Sequence, residues 1–100
     1  MHSKPPLTFT HHGNMRLNER LSLCAKEVSS LIQENKAIPI GQEKRRIHYL
    51  LFSQPDQECF VAVLDEKTRE IITILPIDYH NRWKISLELV LQAQGLTTAP

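Results

Sequence analysis

The chain has 100 residues, 41% hydrophobic and 23% charged, with a formal net charge of +1. That length suits one small domain without a second core, and the composition is that of a globular chain rather than a disordered one. Near-neutrality excludes a global field for nucleic acid or anionic lipid, so any such binding must come from a local patch.

The first residues, 1–8, include Pro5 and Pro6 and read as a flexible lead-in, with Phe9 the first anchor. From Thr10, a plausible N-cap, the run HHGNMRLNERL is expected to form a short helix. Gly13 weakens it by about 1 kcal/mol relative to alanine. At roughly 100° per residue, Leu17 and Leu21 share one face, and His12, Arg16 and Arg20 form a neighbouring stripe. Ser22 is expected to cap a second helix from Leu23 to Glu34, apolar through Leu23, Cys24, Val28, Leu31 and Ile32, with Asn35 as a left-handed terminator. Residues 36–41 then run extended, since Pro39 excludes a helix interior, and Gly41 to Arg45 read as a polar loop.

Three strands follow: Arg46 to Ser53, Glu58 to Asp65 and Glu70 to Leu75. Pro55 and Asp56 turn the first into the second, and residues 66–69 turn the second into the third, with Arg69 in the position that often holds a left-handed glycine. Cys59, Val61 and Val63 point to one face; Phe60, Ala62 and Leu64 point to the other. A sheet apolar on both sides needs a second cover. The final apolar segment, from Trp83, alternates like a strand, but its Leu, Glu, Gln and Ala content favours a helix from Ser86 stopped by Gly95. The predicted architecture is one α+β domain over residues 9–94: two N-terminal helices on a three- or four-stranded antiparallel β-meander, then a C-terminal helix, with 95–100 a flexible tail.

Two constellations carry chemistry. Cleaving RNA without a metal needs a base for the 2′-hydroxyl, an acid for the leaving 5′-oxygen and cations for the phosphorane. His12 with Arg16 and Arg20, and His11 beside them, could supply an acid–base group and a phosphate clamp; the plainer reading is a solvated polar face. Tyr79, His80 and Arg82, in the polar run from Asp78 after the last strand, could stack on a base, move a proton and hold phosphate; alternatively they form a turn. Lys44, Arg45 and Arg46, with His11 and Lys84, are candidate RNA-backbone contacts, though a basic run is often only a solvated loop.

His48, mid-strand, reads as a sheet residue. His11, His12, His48 and His80 lack tight ligand spacing, so no metal is expected, and no cofactor motif is present. Cys24 and Cys59 read as small buried hydrophobes, not zinc ligands. No apolar run approaches the roughly 18 residues that cross a membrane. The N-terminal MHSKPPLTFT lacks the apolar core of a secretory signal, so a cytoplasmic setting is expected.

The chain resembles the small RelE-like proteins of the barnase–EndoU–colicin–RelE superfamily over about residues 9–76. The resemblance rests on the H-x-x-x-R-x-x-x-R helix of His12, Arg16 and Arg20, and on the hairpin Val63, Asp65, Thr68, Glu70 and Ile71 to Leu75. Arg69 departs from it, replacing the usual turn glycine. The resemblance implies two helices packed on an antiparallel sheet. It also implies a metal-independent endoribonuclease, often a toxin, whose partners would be RNA or the ribosome and an antitoxin protein. The alternative is a non-catalytic interaction module, monomeric or homodimeric, that binds through the sheet face or the C-terminal helix.

Overall fold

Apolar alternation between Arg46 and Pro76 builds the centre of the sheet. A computed structural model describes residues 7–77 and 85–98. Strands β3 (Arg46–Ser53), β4 (Glu58–Asp65) and β5 (Glu70–Pro76) form the expected antiparallel meander, in a register that aligns Leu50, Val61 and Leu75 across the three. One irregularity interrupts it: Val63 pairs with Thr73 and Leu64 with Ile71, so Ile72 is an extra residue on β5. Such a bulge resets the alternation. Ile71 and Ile74, three apart, therefore both enter the core on the same side.

Two further strands correct the predicted meander. β2 (Ile38–Glu43) pairs antiparallel with β3 along the stretch expected to be partly a polar loop. Pro39 is tolerated because β2 is an edge strand, and the pairing skips at Ile40 between Pro39 and Gly41. At the other edge β1 (Thr8–Phe9) pairs parallel with the start of β5. The expected lead-in thus reaches the sheet by residue 8, and Leu7 is already buried, its N–H donating to Ser29 Oγ at 2.8 Å. Among the described residues the sheet is five-stranded and mixed, in the order β1-β5-β4-β3-β2.

Helices α1 (His11–Arg20) and α2 (Ala25–Gln33) cover one face. There Leu17, Val28, Leu51, Phe60, Ala62 and Ile74 make the main core. α2 starts two residues later than predicted. Cys24, not Ser22, is its N-cap; it is exposed rather than buried, and its N–H donates to Glu27 Oε1 at 3.0 Å. Ser22 is engaged elsewhere, as described below. Asn35 terminates the helix at φ 61, with Lys36 N–H donating to Leu31 O at 2.8 Å.

α3 (Leu87–Thr98) covers the second face, as its composition predicted. Ser86 Oγ accepts from Leu89 N at 3.3 Å, and Leu89, Val90 and Ala93 pack on Leu50, Phe52, Cys59 and Val61. Gly95 does not end the helix. The position is exposed, so glycine there costs only about 1 kcal/mol and the helix runs on to Thr98. Among the described residues no helix is long and apolar enough to cross a membrane.

Candidate functional site

α1 is fixed at its start by its contact with β5. Thr10 caps it, Oγ1 accepting from Gly13 N at 3.0 Å, while Thr10 N–H donates to Ile71 O at 3.0 Å. Gly13 is the point of closest approach: a Cβ there would run into the Ile71 carbonyl. The glycine that weakens the helix locally is thus what lets the helix lie on the strand.

The stripe predicted on α1 exists. His11, His12 and Arg20 are exposed, and Arg16 is half-exposed, its guanidinium 2.8 Å from Glu19 Oε2. An exposed pair of this kind contributes about 0–1 kcal/mol and is easily exchanged for another anion. The stripe is spread along the helix: eight residues separate His12 from Arg20 by about 12 Å along the axis. His12 sits at the end of the sheet where β5 begins, and Arg20 where β5 finishes.

At that second end Arg20 lines a cleft of about 510 Å³. Its floor is apolar, from Cys59, Phe60, Leu75 and Ile77, with Val90 of α3 opposite and Glu19 and Glu58 at its border. Burial pushes the Cys59 thiol up, and its Sγ lies 3.9 Å from Val90 O, so it packs here as a protonated group. Ile77 also lines the cleft, and the sequence continues from it as Asp78-Tyr79-His80-Asn81-Arg82-Trp83-Lys84. The predicted site residues Tyr79, His80, Arg82 and Lys84 lie outside the described residues.

The basic run lies elsewhere. Lys44 and Arg45 turn β2 into β3, and Arg46 is paired with Asp65, which in turn is paired with Glu70. The run is therefore at the opposite end of the strands from Arg20, on the far side of β4 from β5. A groove of about 530 Å³ runs along Glu43, Lys44, Arg45 and Arg46. Arg45 also has structural work there, since its Nε is 3.0 Å from Asp65 Oδ2.

Two carboxylates, read from the sequence only as a turn residue and a hairpin residue, organise the loops. Asp65, 5% exposed, accepts from Lys67 N at 3.0 Å and Thr68 N at 3.2 Å. Burial alone would raise its pKa, but those two N–H groups and the Arg45 guanidinium hold it below the ordinary aspartate value. Asp56 accepts from Ser53 Oγ at 2.6 Å, Ser22 N at 2.8 Å and Ser22 Oγ at 2.9 Å, tying the α1–α2 connection to the β3–β4 turn. The Ser53 and Ser22 bonds hold its carboxyl below the usual range. Asp65 ends β4 and Asp56 lies in the turn after β3, each at a strand-to-turn junction where aspartate is favoured.

His48 is buried in β3, in register with Gly41 and Val63. Among the described residues no three His, Cys, Asp or Glu side chains converge on a point that could hold a metal ion.

No family model, curated protein or solved structure matches this chain.

Proposed function

We propose that the protein binds single-stranded RNA and cleaves it without a metal, in the manner its RelE-like resemblance implies. The observation that carries the reading is Arg20, an exposed residue lining a largely apolar cleft that Ile77 also lines, with Tyr79, His80, Asn81 and Arg82 following Ile77 closely in the sequence. Arg20 would neutralise the scissile phosphate. His80 would serve as the acid–base group in preference to His12. It follows Ile77, which lines the cleft, by three positions in the sequence, whereas His12 is two helical turns from Arg20. The 2′-hydroxyl loses its proton to the base, its oxygen attacks phosphorus, and the 5′-oxygen departs with a proton. The products are a 2′,3′-cyclic phosphate and a 5′-hydroxyl end. Arg82 would share the phosphate and Tyr79 would stack on a flanking base.

The test is cleavage of single-stranded RNA by wild type and Arg20→Ala. Loss of one such cation is expected to lower the rate by about 100-fold, with the melting temperature unchanged because Arg20 is exposed. Uncut RNA with the wild type would end the proposal.

A second reading rests on α3. Leu87 is 72% exposed and Leu91 57%, one turn apart on the same helix face. An apolar stripe of this kind suits a protein partner, an antitoxin or a second copy of the chain. Light scattering at high concentration, on wild type and Leu87→Glu, separates a self-associating module from a monomer.

A further inference from the structure

The α2 end of the helix layer leaves a second, smaller hollow over the sheet. α2 stops at Gln33 and the chain turns away through Asn35, so the layer ends before it covers Tyr49. The result is a pocket of about 240 Å³. Tyr49 and Leu64 line it from the helix side of β3 and β4, Ile32 and Pro39 wall it, and Arg69 stands at its border. This volume is below the roughly 300–1,000 Å³ of clefts that enclose drug-sized ligands, so it suits a single planar base, with the sugar and phosphate outside it on the exposed Arg69 side.

Its chemistry is specific. Tyr49 is half-buried; burial raises its pKa, the nearby Arg69 charge works against that rise and Glu66 adds to it. The phenol is therefore a protonated donor at neutral pH, close enough to Arg69 to feel its charge. Two nearby carboxylates are engaged elsewhere: Asp65 with Arg45 at 3.0 Å, and Glu66 with Gln42 Nε2 at 3.1 Å. Among the described residues Arg69 has no carboxylate at ion-pair distance. It also occupies a turn position at φ 63, where glycine would sit without strain. An aromatic side chain, an apolar wall and an exposed guanidinium without an ion-pair partner among the described residues together match a planar base carrying a sugar phosphate.

We propose that this pocket binds a nucleoside monophosphate unit, its base against Tyr49 and Leu64 and its phosphate on the Arg69 guanidinium. The unit is either a free mononucleotide or one residue of a single strand. In the second case the proposal rests on the RNA reading above and gives that RNA a contact away from the Arg20 cleft.

The experiment titrates the full chain with adenosine, guanosine, cytidine and uridine monophosphates, and with a short single-stranded RNA, for wild type, Arg69→Gly and Tyr49→Leu. At least one mononucleotide is expected to bind saturably. Arg69→Gly is expected to weaken it roughly tenfold while melting no lower than wild type, which a merely structural role for Arg69 would not produce. Tyr49→Leu, which keeps apolar volume without a ring, is expected to weaken it too. An RNA that binds more tightly and competes with the mononucleotide identifies the strand as the source; RNA with no such advantage identifies the free nucleotide. No saturable binding of any mononucleotide, or binding unchanged in Arg69→Gly, overturns the proposal. The two readings fail separately. RNA left uncut with mononucleotide binding intact removes the nuclease and keeps the pocket; RNA cleavage lost in Arg20→Ala but nucleotide binding absent does the reverse.

Discussion

Gly13 lies where α1 crosses β5, and its missing side chain sets the distance between them. Gly13→Ala should gain about 1 kcal/mol of helix propensity but force α1 off the Ile71 carbonyl. Overpacking of that kind costs about 1–3 kcal/mol, so net destabilisation is expected in urea unfolding. From sequence this glycine reads only as a local penalty, because nothing in a helical pattern reports what lies across it. Arg69 is the opposite case. Its turn position was legible from the strand spacing, and φ is indeed positive, as it is at Lys44 and Gln57. A left-handed non-glycine residue is strained by about 1–2 kcal/mol, and part of that is returned by the looser unfolded chain of a glycine variant. Arg69→Gly is therefore expected to stabilise by about 0.5–1 kcal/mol, measured by the same denaturant midpoint.

At the scale of elements, the strands with clear alternation were readable and the edges were not. β3, β4 and β5 carry runs of β-branched and aromatic residues, and the two faces of β4 were assigned from period two, whereas the bulge at Ile72 resets the alternation of β5. β2 was hidden by Pro39 and Gly41, which break a central strand but are admissible at an edge. β1 has two residues, too few for any period to register. α2 began late because Ser22, a sound cap by type, is held by Asp56, thirty-four residues away. That partner is tertiary and invisible to local reading. α3 gives a test of which of its sides matters. Ala93 is fully buried against the sheet, whereas Leu87 is largely exposed. Ala93→Leu should destabilise by about 1–3 kcal/mol, and Leu87→Lys should stay within about 0.5 kcal/mol. Equal effects in thermal melts would mean that α3 does not pack by this face.

For the molecule as a whole, the pH dependence of stability should come largely from the loop aspartates. Asp56 and Asp65 have folded pKa values depressed below the unfolded value, which is near 3.9. Their stabilisation is therefore fully present above that value and lost as pH falls through the lower folded values. Melting temperature is expected to be level from neutrality to about pH 5 and to fall below about pH 4, less steeply in Asp56→Asn. The candidate site was legible in part: the α1 stripe follows from helical spacing, but spacing could not reveal that the sheet sends His12 and Arg20 to opposite ends. That separation focuses the functional account on Arg20. The measurement that tests it most directly is incubation of purified wild type and Arg20→Ala with single-stranded RNA in the presence of a chelator, with end-group analysis of the products. Cleavage by the wild type, leaving 2′,3′-cyclic phosphate ends, and its loss in the variant are expected. RNA left intact by the wild type, or cut equally by both proteins, would contradict that expectation.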